Sequence, residues 1–144
     1  MSGFLIDTNI ISEFVKPDPN SFVKLWFETV DTDSLFASVI TFGEIRLGIE
    51  NLPSSKRRKD LEQWLSEGLP QWFESNLLPV TKAIADRWGR VTMEAKRKGT
   101  ALAMADGLIA ATALVHDLAI VTRNLKDFAG LGVLVVNPWE ASNS

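Results

Sequence analysis

Four carboxylates stand out because each lies next to a segment that could position it for chemistry. Asp7 comes directly after the apolar run Phe4–Ile6, and Glu44 follows the apolar run 35–40. Asp127 comes soon after the run 118–121, and Asp106 lies near the start of an alanine-rich segment. Carboxylates that converge repel one another and raise each other's pKa values. A divalent cation relieves that repulsion, and all-oxygen ligands favour Mg²⁺ or Mn²⁺ over zinc.

Each of these acids also has an ordinary structural interpretation. Asp7 could cap the helix that follows the first strand. Thr41 and Glu44 fit a capping box, in which the glutamate carboxylate reaches back to the Thr41 amide. Asp106 could cap a helix that begins at the next residue, and Asp127 could be a turn residue. The grouping of four acids, rather than any single one, indicates a metal site.

Composition narrows the classes of protein and site. The chain has 144 residues, enough for one domain, and it contains no cysteine and one histidine, His116. Thiolate metal sites, cysteine nucleophiles, disulfides and a histidine-rich zinc site are therefore excluded. The net charge is −3, so any binding of nucleic acid must rest on local basic groups or on metal ions. The chain shows neither a signal-peptide pattern nor a membrane-length apolar run, which predicts a cytoplasmic protein.

Apolar runs and helical periodicity predict an α/β fold. Four short, almost continuously apolar runs at 4–6, 35–39, 118–121 and 133–136 are typical of strands in a parallel sheet covered on both faces. The segment 77–80 is either a further strand or an extended connection. Helices are expected over 54–73, from an N-cap at Thr81 to a stop at Gly99, and over 103–115. We predict a three-layer α/β/α domain with a mostly parallel central sheet over residues 1–140, followed by a tail at 141–144.

Four motifs in order resemble those of the PIN-domain ribonucleases, and in particular the VapC-type toxins with their FitB branch. They are the segment 4–10, the segment 38–48 with Ser38, Thr41, Glu44 and Gly48, the segment 106–113, and the segment 121–128 followed by Val-Asn-Pro-Trp at 136–139. The resemblance covers essentially the whole chain. It implies a PIN-like fold, a metal-dependent endoribonuclease activity, and the role of toxin in a type II toxin–antitoxin pair.

The resemblance also implies roles for the acids. Asp7, Glu44 and Asp106 match the three core acids of the family, and Asp7 and Asp106 would be the principal ligands of Mg²⁺ or Mn²⁺. Many PIN domains carry an aspartate where this chain has Asn124, so we assign the fourth acidic position to Asp127, the nearest carboxylate. Water would attack the phosphorus and leave a 5′-phosphate and a 3′-hydroxyl.

Polar and basic neighbours of the acids complete the predicted site. Supporting residues that would orient a ligand or water are Thr8, Asn9, Thr122 and Asn124. Basic residues that could contact RNA phosphates are Arg46, Arg123 and Lys126. Each of these three could equally be a solvated charge or a partner for the acids. The basic run 56–59 is most simply a solvated helix face.

The resemblance further implies partners that the residues alone do not define. They are a small cognate antitoxin, operator DNA bound only through that antitoxin, and a second copy of the chain in a homodimer. Most of the aromatic residues at 26–27, 64 and 72–73 should be core, and some could anchor a partner. Two other functions remain open: a non-catalytic PIN-like protein that only binds partners, and a metal-dependent DNase of the same fold.

Overall fold

The protein is built on a five-stranded sheet in which every neighbouring pair is parallel. A computed structural model describes residues 3–143, and of residues 141–143 it describes the backbone only. The strand order is β3-β2-β1-β4-β5. The strands are β1 (Phe4–Ile6), β2 (Leu35–Ser38), β3 (Leu77–Leu78), β4 (Ala119–Val121) and β5 (Val135–Val136). Phe4 of the central strand is in register with Leu35 on one side and with Ala119 on the other.

Helices cover both faces of this sheet. They are α1 (Thr8–Phe14), α2 (Ser21–Thr29), α3 (Val39–Glu50), α4 (Lys56–Gln63), α5 (Leu69–Phe73), α6 (Lys82–Arg97) and α7 (Met104–His116). Short 3-10 turns lie at Thr32–Ser34, Glu74–Asn76, Leu125–Phe128 and Pro138–Asn143. The predicted three-layer α/β/α fold is confirmed. The segment 77–80 does contribute a strand, at its first two residues, whereas the run 133–136 forms a strand only at its last two.

The helix predicted over 54–73 is two helices joined by a π-helical turn at Trp64–Gly68. The three elements follow one another without a break, so the predicted helix is confirmed over residues 56–73, with the π-helical turn as an irregularity within it. Pro70 lies in the first turn of α5 and has no N–H to donate to the preceding turn. The Leu69 N–H, just before Pro70, donates to the carbonyl of Trp64 five residues earlier, as in a π-turn.

Successive side chains of the central strands point to opposite faces of the sheet, and this explains why these strands are apolar at every position. Leu5 packs into the core on the α6–α7 side of the sheet, and its neighbour Ile6 packs into the core on the opposite side. Ile120 and Val121 of β4 divide in the same way. Successive side chains of a strand point to opposite faces, so a sheet covered on both faces needs apolar residues at every position.

The aromatic residues mostly fill the core on the α1–α2 side. Phe14, Phe27 and Trp72 form a cluster with ring centroids 4.5–5.3 Å apart. Trp26 packs edge-on against Phe4 at 5.2 Å. The predicted core role of these aromatics is confirmed.

The sequence analysis also made predictions about membrane-spanning segments and about the C-terminal boundary of the domain. The described part of the chain contains no helix that is both long and apolar enough to cross a membrane. The domain boundary placed at residue 140 stays a prediction. The segment Pro138–Asn143 consists of two 3-10 turns separated by a kink at Glu140. The end of the predicted tail, Ser144, lies outside the described residues.

Candidate active site

Asp7 lies at the carboxyl end of β1, and both of its carboxylate oxygens accept hydrogen bonds. Oδ1 accepts from the Thr8 N–H at 2.8 Å, which makes Asp7 the N-cap of α1 as predicted. Oδ2 accepts from the Thr122 hydroxyl at 2.8 Å and from Asn9 Nδ2 at 3.2 Å. The Asp7 N–H continues the sheet by donating to the Val121 carbonyl at 2.9 Å. The carboxylate is therefore buried in a fixed orientation between β1 and β4.

The residues that follow β4 are bonded to those that follow β1. Thr122 Oγ1 accepts from Asn9 Nδ2 at 3.1 Å and from the Asn124 N–H at 3.0 Å. Asn9 Oδ1 accepts from the Arg123 N–H at 3.1 Å. Thr122 and Asn9 thus position Asp7 directly. Asn124 contributes to this arrangement through its backbone N–H.

Glu44 reaches the same region through Thr8. The Thr8 hydroxyl donates to Glu44 Oε1 at 2.6 Å. The alternative capping-box interpretation of Glu44 was wrong, because α3 begins at Val39 and its N-cap is Ser38, whose side chain accepts from the Ile40 N–H. Since β2 ends at Ser38, the cap must lie there. Glu44 then falls in the second turn of α3.

Asp106 lies in the first turn of α7, which begins at Met104. The alternative in which Asp106 caps a helix starting at the next residue was therefore wrong. A carboxylate in the first turn of a helix is stabilised by the positive end of the helix dipole. Partial burial nevertheless raises the pKa of Asp106 to about 6, and the negative charges of Asp127, Asp7 and Glu44 contribute to that rise.

Asp127 completes the acidic group from the 3-10 turn Leu125–Phe128. Its side chain is exposed, and the next residue, Phe128, anchors the turn in the core.

Burial also raises the pKa of Asp7. The hydrogen bonds from Thr122 and Thr8 lower this pKa in part, and the carboxylates of Glu44 and Asp127 raise it further. The four predicted acids therefore lie close enough to interact at one edge of the sheet.

Neighbouring side chains leave the repulsion among these acids uncompensated. Over residues 3–140, no lysine or arginine nitrogen lies within 4.0 Å of any of the four carboxylates. Within the same part of the chain, no group of three or more histidine, cysteine, aspartate or glutamate side chains is placed to hold a metal ion. Mg²⁺ commonly binds one or two carboxylates and keeps several waters. The oxygen donors here fit a hydrated cation of that kind.

Of the three predicted RNA-contacting residues, two flank the acids. Arg123 and Lys126 line a cavity of about 410 Å³ together with Asp127. The Arg123 guanidinium lies 4.8 Å from the centre of the Trp139 ring, a contact that sequence reasoning missed. The only sequence feature that could have indicated this contact is the Val-Asn-Pro-Trp segment at 136–139, which contains Trp139. Arg46 instead pairs with Glu50 at 3.5 Å and Glu62 at 3.7 Å, so it acts as a partner for acids on α3 and α4.

Known proteins match this chain over nearly its whole length, both in sequence and in structure. The PIN domain family matches residues 4–133. Toxin FitB of Neisseria gonorrhoeae is 36% identical over 135 residues, which cover 94% of this chain and 97% of that protein. VapC ribonuclease Y4jK of Sinorhizobium fredii is 32% identical over 136 residues, covering 94% and 97%. The solved structure of FitAB bound to an IR36 DNA fragment matches with a TM-score of 0.88 at 34% identity, covering 94% of this chain and 95% of that one. This chain therefore belongs to the PIN domain family.

Proposed function

We propose that this protein is a toxin endoribonuclease whose hydrolysis of RNA depends on Mg²⁺ or Mn²⁺ held by its four acids. Family membership and the relatives named as a toxin and a ribonuclease support the endoribonuclease assignment. The single observation that carries the cation requirement is that Asp7, Glu44, Asp106 and Asp127 lie close enough to interact at one edge of the sheet. The protein supplies no lysine or arginine to neutralise them over residues 3–140.

Asp7 and Asp106 would hold the cation, and Glu44 and Asp127 would complete its surroundings directly or through water. A divalent cation at this point supplies a water of lowered pKa and stabilises the negative charge that develops on the phosphate. The chain's own residues provide the positioning. Thr122 and Thr8 fix the orientations of the Asp7 and Glu44 carboxylates by hydrogen bonds of 2.8 Å and 2.6 Å.

A histidine general base is absent from this scheme. His116, the single histidine, ends α7, whereas Asp106 lies in the first turn of the same helix. Ten residues of helix separate the two by about 15 Å. Arg123 and Lys126, which flank Asp127 in the cavity beside the acids, would bind the phosphates next to the scissile bond.

The decisive experiment is cleavage of total tRNA and ribosomal RNA by the purified protein. Reactions contain Mg²⁺, Mn²⁺ or EDTA and are run beside Asp7→Asn and Asp106→Asn. The matched control is Asp86→Asn, which alters an exposed carboxylate on α6 that pairs with Arg90. We expect cleavage by the wild type and Asp86→Asn only with a divalent cation, and none by the two active-site variants.

Other results of this experiment would contradict the proposal. Cleavage retained in EDTA, or in either Asp7→Asn or Asp106→Asn, would contradict the assignment of these acids and the cation as the catalytic centre. Cleavage of DNA without cleavage of RNA would favour a DNase. No cleavage by folded wild-type protein would favour a PIN-like protein that only binds partners.

The proposed toxin role includes a small antitoxin that inhibits the enzyme, with operator DNA bound through that antitoxin and with a homodimer of this chain. The neighbouring solved structure contains FitAB bound to DNA, and its similarity to this chain supports the proposal. We expect the protein encoded beside this chain to elute with it from size-exclusion chromatography and to suppress RNA cleavage. Separate elution of the two at micromolar concentration would contradict this part of the proposal.

A further inference from the structure

A groove separate from the acids lies between the end of α1 and the start of α4. We call it the α1–α4 groove, and its volume is about 400 Å³. Its lining residues are Ser12, Val15, Lys16, Pro17, Lys56, Arg57, Asp60 and Leu61. The lining thus combines three cations and one carboxylate with an apolar wall.

Two of the three cations in the groove are unpaired. Lys16 is held by Glu13, with Nζ 2.9 Å from Oε1. Over residues 3–140, no carboxylate oxygen lies within 4.0 Å of the charged groups of Lys56 or Arg57, and both side chains are exposed. The next residue, Arg58, is engaged by Glu50 at 3.1 Å and by Glu62 at 3.6 Å. Within the basic run of α4, Arg58 is therefore paired, whereas Lys56 and Arg57 line the groove. Lys59, which also has no carboxylate within 4.0 Å over residues 3–140, lies outside the groove.

Helix stability does not account for these two cations. Lys56 and Arg57 are the first two residues of α4. Cations at the amino end of a helix are disfavoured by the helix dipole, which stabilises acids there instead. Residues that break such a local rule without a compensating contact often serve a binding function.

The groove lies one helical turn from the acidic site along α1. Thr8, whose hydroxyl bonds to Glu44, lies four residues before Ser12 in the same helix. Residues four apart lie on the same helix face and are separated by about 6 Å along the axis. An RNA strand with its scissile phosphate at the acids can therefore extend along this face of α1 into the groove.

We propose that the α1–α4 groove binds backbone phosphates of the RNA strand on one side of the scissile bond, through Lys56 and Arg57. This inference rests on the proposed nuclease function. Unpaired cations in a groove are the usual means of holding a single strand without sequence preference. Val15 and Leu61 provide apolar contact for a sugar or base beside those phosphates. Because the net charge is −3, attraction of RNA depends on local cations such as these or on bound metal ions.

The test is the affinity for a fluorescently labelled single-stranded RNA, measured by anisotropy in EDTA over a series of NaCl concentrations. The variant is Lys56→Ala/Arg57→Ala. The matched control is Lys96→Ala/Arg97→Ala, which removes two adjacent basic residues from the last turn of α6. We expect the first variant to bind severalfold more weakly for every RNA sequence. The slope of log affinity against log salt should fall by about 1.4, as expected when two phosphate contacts to a single strand are lost. The control should bind as the wild type does.

The outcomes separate this inference from the proposed function. Binding is measured without divalent cation, so it does not depend on catalysis, and cleavage by the same wild-type preparation tests the nuclease independently. If the wild type cleaves RNA but Lys56→Ala/Arg57→Ala keeps wild-type affinity and salt slope, the groove inference is overturned. The inference is also overturned if that variant keeps its RNA affinity and loses binding of the adjacent-encoded protein, since the groove would then be a protein-docking surface.

Discussion

At the residue scale, the buried carboxylate of Asp7 has both a structural and a proposed catalytic role. One oxygen caps α1 and the other accepts from Thr122 and Asn9. These donors stabilise a charge that burial and neighbouring acids destabilise. The site therefore depends on a few hydrogen bonds whose removal can be measured.

Replacing Thr122 with valine tests the most buried of these bonds. Valine keeps the shape of threonine but removes the hydroxyl, which donates to Asp7 Oδ2 at 2.8 Å and accepts from Asn9 and from the Asn124 N–H. A hydrogen bond to a charged group contributes about 1.5–3 kcal/mol, so we expect a loss of that size in the free energy of unfolding at pH 7. Urea denaturation measures it, and Thr122→Ser should keep most of the stability. Equal stability of Thr122→Val and the wild type would show that the bond does not hold Asp7.

The pH dependence of stability tests the electrostatic state of Asp106. Burial and three neighbouring carboxylates raise its pKa to about 6, against an ordinary value of 3.8. Ionisation therefore destabilises the folded protein above pH 6, and this penalty is lost as the pH falls through 6 towards 3.8. In EDTA, we expect Asp106→Asn to melt at a higher temperature than the wild type at pH 8. The difference should shrink steadily below pH 6, and a difference independent of pH would contradict the assignment.

At the element scale, the sequence predicted the elements that carry the acids better than it predicted their ends. The Asp7 cap, the Thr81 cap and the strand at Leu77 follow from local patterns and are confirmed. The helix predicted over 103–115 is confirmed at Met104–His116. The alternatives in which Thr41 or Asp106 caps a helix were wrong, because tertiary contacts select among several possible caps. For α3, the end of β2 fixes Ser38 as the cap, and no local pattern distinguishes it from Thr41.

The sequence could predict that the acids lie near one another, but it could not predict the individual contacts between elements at the site. Convergence of the acids follows from strand ends in a parallel sheet. The bond from Thr8 to Glu44 joins residues 36 positions apart, and the Arg123–Trp139 contact depends on how the last turn folds back. The basic run 56–59 looked like a uniform solvated face. The structure divides it, because Arg58 is paired on one side while Lys56 and Arg57 line the groove.

The packing of α6 against α7 gives a prediction for Gly107, the residue after Asp106. A Cβ there would lie 2.9 Å from Cδ1 and 3.0 Å from Nε1 of the Trp88 ring. We expect Gly107→Ala to lower the free energy of unfolding by about 1–3 kcal/mol, because the two helices must separate. The control is Gly89→Ala on α6, where a Cβ meets no atom within 4 Å.

Gly89→Ala should raise stability by about 0.5–1 kcal/mol, the usual gain when alanine replaces glycine inside a helix. Chemical denaturation of the two variants side by side measures both effects. Similar stabilisation by both substitutions would show that Gly107 is not needed for the close approach of α6 and α7.

At the scale of the whole molecule, an acidic protein must bind a polyanion. Its net charge is −3, and its proposed catalytic edge carries four carboxylates. Two features would reconcile this charge with an RNA substrate: a divalent cation at the acids and the local cations of the α1–α4 groove. In the proposed function, the groove would contribute to affinity for RNA, and the cation would contribute to both affinity and chemistry.

The most direct measurement is the binding of Mn²⁺, followed by the loss of the electron paramagnetic resonance signal of the free ion. The titration compares the wild type with Asp106→Asn and with the control Asp86→Asn. We expect saturable binding by the wild type and the control, and an affinity lower by more than about tenfold in Asp106→Asn, since even changes around metal ligands cost that much. Equal Mn²⁺ affinity in the wild type and Asp106→Asn would contradict the assignment of these acids as a metal-dependent catalytic site.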